Sequence, residues 1–178
     1  MQIPIFLSCP KPFLRRQSDF LSAVEAHLCS AELRPMTLGR TDYSMDAPLV
    51  AIRRLMAASF GVFTIAFRRT YVASAFERPG SDLGENEVAR SELWLSSPYC
   101  QIEPAMGYQL GLPLLVWREA GVLDDGLLDR GAMELSMPEF NLDHPPDLSS
   151  EMWKQPLSEW IHRVKSAYQK SGEAPRLW

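Results

Sequence analysis

The chain has 178 residues, 46% of them apolar and 22% charged, with a formal net charge of −4. That supports one substantial core and leaves no room for two. Its acids and bases are interspersed, without the basic stripe that neutralises phosphates along a duplex, which argues against nucleic acid as main partner and leaves a small anionic ligand open.

The first element is "IPIFL", residues 3–7, a short apolar run that stops at Ser8, Pro10 and Pro12, as a buried strand does where it enters a loop. Basic residues follow this stretch instead of preceding it, and Pro4 breaks it, so it reads as a first strand and not a signal peptide. From Phe13 onward Leu14, Phe20, Leu21, Val24 and Leu28 recur at helical spacing, with Arg15, Arg16, Asp19 and Glu25 mainly between them. "LRPMTL", residues 33–38, is a second strand, and the polar loop "GRTDYSMDAP" leads into a second helical stripe of Leu49, Ile52, Leu55 and Met56.

"FGVFTIAF", residues 60–67, is apolar on both parities, the pattern of a central strand covered by helices on both faces. The charge-, Gly- and Pro-rich stretch 68–91 reads as a long connection, with a helical piece around 85–95. A helix over 98–110 ends at Gly111, and "LPLLVW", residues 112–117, is another strand. "AMELSM", residues 132–137, is a candidate last strand. Pro156 suits the first turn of a final helix on which Leu157, Trp160, Ile161, Val164 and Tyr168 form one stripe.

Strands alternating with helices predict a three-layer α/β fold of flavodoxin-like type: a mostly parallel sheet of about five strands with helices on both faces. Residues 1–178 are expected to form a single domain, with 139–178 a C-terminal extension that carries a packing helix. In such folds ligands bind outside the carboxyl ends of the strands, so the loops after Leu7, Leu38, Phe67 and Trp117 are where chemistry is sought. No apolar window reaches the length of a membrane span. Cys9, Cys29 and Cys100 leave an odd thiol under any pairing and show no zinc or redox spacing, as expected of reduced thiols in the cytoplasm. His27, His144 and His162 make no pair at metal-ligand spacing, so no metal is expected. The chain carries no GxGxxG, Walker-type or GxSxG motif.

"SPYCQIEP", residues 97–104, holds the chain's most pointed combination. Ser97 is a good N-cap and Pro98 is favoured at the first helical position, so Tyr99, Cys100, Glu103, Met106 and Gly107 share one side of the helix. Pro104 cannot donate to the carbonyl of Cys100, and a kink beside Glu103 is expected. Spacing leaves two readings of Glu103 open, a solvated residue near a helix start or a functional acid.

The run "S-P-Y-C-Q-I-E" resembles the S-x-W-C-x-x-E signature of TIR domains that consume NAD, with Tyr99 in place of the tryptophan. "IFLSCP" resembles that family's first strand and loop, "GVFTIAF" its central strand and "GYQLGLPLLVW" the passage after the glutamate, so the likeness covers residues 3–117. The chain is most similar to standalone TIR-like proteins of bacterial antiphage systems such as Thoeris. The resemblance implies that Glu103 is the catalytic acid of an enzyme that cleaves the nicotinamide–ribose bond of NAD. NAD is then the substrate, with no further cofactor. The product that the resemblance implies is an ADP-ribose-derived signalling nucleotide, formed by cyclisation or transfer and read by a separate effector protein, and self-association is a further expectation.

The loops offer partners for the rest of NAD. Ser8, Cys9 and Pro10 follow the first strand and are open to contact with a ribose or phosphate, or to a simple turn. Arg40, Asp42 and Tyr43 lie in the loop after the second strand, while Asp46 reads as a helix cap. Phe67 ends the central strand and is either core or a stacking surface for a base; Arg68 and Arg69 follow, and either can grip a pyrophosphate or stay solvated. Tyr99 stands beside the acid. Two other classes compete: a nucleoside 2-deoxyribosyltransferase-like enzyme, which asks for a second acid such as Asp42 or Asp46, and a non-catalytic TIR-like interaction module that associates through surface helices and the 153–168 region.

Overall fold

The computed structural model describes residues 2–129 and 139–171. Five consecutive residues, Val62–Ala66, are buried on both sides, and this strand, β3, lies inside a parallel sheet between β1 (Ile3–Ser8) and β6 (Leu114–Arg118), with β2 (Leu33–Met36) beyond β1. The order β2-β1-β3-β6, with right-handed crossovers in this class, is that of a flavodoxin-like three-layer α/β fold. Among the described residues the sheet has four strands where about five were expected; the candidate strand at 132–137 lies outside them.

Alternate residues of each strand face opposite layers. Ile5, Leu7, Phe63, Ile65, Leu115 and Trp117 pack against α1 (Arg15–Ser30) and α4 (Glu151–Gln169). Phe6 and Val62 face the other way, toward α2 (Pro48–Ala57) and α3 (Tyr99–Gln109), through Ile52 and Met56. Farther along that face Ala66 packs with Cys100 of α3. The first layer is the denser in aromatic rings: Phe63 stands edge-on to Trp117 at 4.8 Å, and Trp117 edge-on to Trp153 at 5.0 Å.

Two expected elements differ. The helical piece around 85–95 is instead β5 (Val88–Leu95), paired antiparallel with β4 (Thr70–Glu77) from Thr70↔Leu95 to Glu77↔Val88. Cross-strand partners decide it: Tyr71 packs on Trp94 at 5.1 Å, and Arg90 donates to Glu77 at 2.9 Å. Such pairs stabilise a sheet by roughly 0.2–1 kcal/mol each and override the helix propensity of a Glu-, Ala- and Leu-containing stretch. The final helix also starts earlier than Pro156 implies. It begins at Glu151, and Pro156 sits inside it; the earlier turn brings Trp153 onto the stripe with Leu157, Trp160 and Val164, and all four are buried. Trp153 and Trp160 therefore cover the sheet.

α3 lies close on β3 because position 107 has no side chain. A Cβ there would stand 2.5 Å from Val62 Cγ2 and 2.9 Å from Leu114 Cδ2. Gly107→Ala is expected to lose about 1–3 kcal/mol of stability in urea unfolding, overpacking outweighing the roughly 1 kcal/mol of helix propensity that alanine adds. Unchanged stability would mean that α3 is not seated as described.

Candidate functional site

The helix that carries Glu103 starts as its sequence implies. Pro98 already has helical dihedrals (φ −53°, ψ −28°), and the Tyr99 N–H donates to Ser97 Oγ at 3.3 Å. Pro104, which has no N–H for the carbonyl of Cys100, is buried within α3, and the helix continues to Gln109. Cys100, Glu103, Pro104 and Gly107 form its buried face, spaced by three, four and seven residues. Tyr99 lies at the edge of that face, 37% exposed.

Glu103 is turned inward, with 8% of its surface exposed. Burial pushes its carboxyl up to about 7, and the nearby Ser8 hydroxyl works against that rise by favouring the charged form. Ser8 ends β1 at the carboxyl edge of the sheet, the edge where ligands bind in this class of fold. Its Oγ is buried and makes no hydrogen bond of normal geometry.

Two thiols share this end of the sheet. Burial pushes Cys100 up to about 12; Cys9 is also raised to about 12, by burial first and then by Cys100, with Arg40 opposing. Both stay neutral thiols at ordinary pH. Ser8, Cys9, Cys100 and Glu103 thus converge, with the buried Pro10 next in the chain and Arg40 at the margin. The Arg40 guanidinium is held by Glu25 of α1 through two 2.8 Å hydrogen bonds.

The other residues expected at the site go elsewhere. Phe67 is 1% exposed and packs edge-on to Phe20 and Phe140, so it belongs to the core and offers no stacking surface. Arg68 donates from Nε to the Ala120 carbonyl at 2.6 Å and lies over the Trp94 ring at 5.8 Å. It clamps β3 to the loop after β6. Arg69 is exposed, with Nη1 3.3 Å from Ser97 Oγ at the start of α3. Asp42 accepts from Thr41 at 2.7 Å, Tyr43 is 78% exposed, and Asp46 pairs with Arg54 at 2.9 Å.

Two groups escaped the sequence reading. Glu119 is 2% exposed and raised by burial, and it accepts the Arg68 backbone N–H at 2.8 Å. Glu119 alternates in step with Trp117 and therefore faces α1, across the sheet from Glu103. Thr64 of β3 is the register partner of Ser8 and is fully buried, and its Oγ1 has no hydrogen-bond partner either. A single hydroxyl inside "FGVFTIAF" was the available signal. Among the described residues no three His, Cys, Asp or Glu side chains gather as a metal site, and no helix is long and apolar enough to cross a membrane.

Compared with known families and with curated proteins, the chain matches no family model and no curated protein.

The raised carboxyl has a consequence for stability. Folding moves Glu103 from about 4.5 to about 7, so its contribution is fully present below pH 4.5 and is lost as pH rises through 7. Glu103→Gln, which cannot ionise, is expected to be more stable than wild type at pH 8.5, by up to roughly 3 kcal/mol, and equal to it near pH 4.5. Urea unfolding at the two pH values checks this; equal stability at both would place the carboxylate in solvent.

Proposed function

We propose that the protein is a TIR-like enzyme that cleaves the nicotinamide–ribose bond of NAD, with Glu103 as its acid. The product is an ADP-ribose-derived nucleotide, cyclised, transferred or hydrolysed, that signals to a separate effector in antiphage defence. The observation that carries this reading is the buried Glu103 at the carboxyl edge of the sheet, beside Ser8 and within the S-P-Y-C-Q-I-E run.

The chemistry suits one carboxylate. Nicotinamide leaves as a neutral pyridine from a cationic one, so no proton has to be delivered to it. What develops in the transition state is positive charge on the ribose, and a fixed carboxylate in a dry site stabilises that charge. An arriving pyridinium also draws the carboxyl toward its ionised form, because an opposite charge nearby favours the anion. Arg69, exposed at the start of α3, is the better placed of the two adjacent arginines to meet a pyrophosphate.

One observation favours a second reading. A carboxyl near 7 holds its proton about half the time at neutral pH, which fits a general acid protonating a departing nucleobase in a nucleoside deoxyribosyltransferase-like reaction. That reaction asks for a second acid, and Asp42, Asp46 and Glu119 all have other partners.

The purified protein is incubated with NAD and nicotinamide release is followed by chromatography. Wild type is expected to release nicotinamide, with kcat/KM rising with pH around a midpoint near 7 as Glu103 ionises. Glu103→Gln is expected to lose at least about a hundredfold. Release that persists in this variant sinks the proposal, and turnover of a 2-deoxynucleoside that falls above pH 7 favours the second reading.

A further inference from the structure

A buried hydroxyl without a partner costs a protein about 1–3 kcal/mol, and two side by side ask for an explanation. Ser8 and Thr64 are such a pair. They are directly opposite on parallel strands β1 and β3, two residues beyond the opposed Phe6 and Val62 and on the same face. Both are essentially fully buried, and among the described residues neither hydroxyl makes a hydrogen bond of normal geometry.

The helix above them can be placed by two contacts. Gly107 sits against Val62, and Cys100 packs with Ala66, so α3 runs antiparallel to β3. Glu103 lies four residues before Gly107, about 6 Å along the helix axis, and Thr64 lies two residues after Val62, about 7 Å along the strand. Glu103 is therefore level with Thr64, and Ser8, next to Thr64, already acts on its carboxyl.

We propose that Thr64, with Ser8, is a positioning residue for Glu103: the two hydroxyls are left unpaired in the core so that they can donate to the carboxylate when it ionises, which fixes its orientation at the carboxyl edge of the sheet. The idea rests on the reading of Glu103 as the reactive acid, and it adds a residue on the central strand to it. Other groups do not replace the pair. From its own helix Glu103 faces Cys100, and from the end of β1 it faces Cys9, both neutral thiols. Arg53 and Arg54 of α2 are exposed, Arg68 and Arg69 after β3 are bound to Ala120 and Ser97, and Arg118 of β6 pairs with Glu139 and Asp124. The short 3-10 turn at Gly126–Leu128 meets α3 through Gln101, whose Nε2 donates to the Asp125 carbonyl.

The test is Thr64→Val, which keeps the branched shape and removes the hydroxyl. Carboxyl NMR with 13C-labelled glutamate, in the full chain without substrate, is used to follow the titration of Glu103, assigned by its loss in Glu103→Gln. The expected result is a midpoint about one unit above wild type in Thr64→Val, a similar rise in Ser8→Ala, and recovery toward wild type in Thr64→Ser. At pH 5, where Glu103 is protonated, Thr64→Val is also expected to unfold at equal or higher urea concentration than wild type, since replacing an unpaired buried hydroxyl relieves its desolvation cost. A wild-type midpoint in folded Thr64→Val and Ser8→Ala overturns the inference, as does a Thr64→Ser that fails to recover. Because the titration needs no substrate, these outcomes stand whether or not NAD is cleaved; absent nicotinamide release with the shift intact defeats the functional reading alone.

Discussion

A helix with no Cβ at position 107 can approach β3 closely enough to put Glu103, one turn earlier on the same face, between helix and sheet instead of in water. That approach converts an ordinary acid into one that titrates near neutrality, because burial strips away its water and the Ser8 hydroxyl offsets that loss only in part. The cost is borne by the opposite face. There Phe63, Trp117 and Trp160 are fully buried, each contributing about 1.5–3 kcal/mol or more of apolar transfer, enough to tolerate a carboxyl and unpaired hydroxyls on the other side. The two layers thus differ: one is packed and aromatic, with Gln17 and Glu119 buried at its end, and the other holds Glu103 and the hydroxyls of Ser8 and Thr64.

Much of this arrangement was legible in the chain, and its gaps have physical causes. Val62–Ala66 was readable as central because it is apolar on both parities, and the start of α3 because Ser97 and Pro98 are each specific to a helix N-terminus. Helical spacing also named the face that Glu103 shares with Cys100 and Gly107, but spacing does not tell whether a face is covered; that depends on the approach at Val62, which is a tertiary contact. The β4–β5 hairpin was hidden for the same reason. Tyr71 and Trp94 lie far apart in sequence, and no local pattern announces their pairing. Thr64 became visible as a partner of Ser8 only once the register of β1 and β3 was known.

The adjacent arginines after β3 show how little a loop sequence says about its charges. Arg68 turns back to the Ala120 carbonyl and the Trp94 ring, tying together β3, the hairpin and the loop after β6. Gly121 permits this, since its φ of +84° suits glycine and a Cβ there would meet Arg68 Nη2 at 3.0 Å. Arg69, one residue on, donates its backbone N–H to Leu95 and is left exposed near Ser97. A pair that looks equivalent in sequence is therefore one structural clamp and one cation beside the start of the acid's helix.

The electrostatics of the site follow from what stays neutral. Cys9 and Cys100 are both raised far above neutrality, so neither competes with Glu103 for a positive charge and neither is a thiolate nucleophile at ordinary pH. The Arg40 guanidinium, which acts on Cys9 at the margin, is paired with Glu25. Within this group, then, Glu103 is the side chain whose charge changes near pH 7, and its state is decided by what arrives. A cationic ring ionises it, whereas a neutral nucleobase does not. On the proposed reading, substrate charge and acid ionisation are coupled through one carboxyl, and this coupling favours a leaving group that brings its own positive charge over one that must be given a proton.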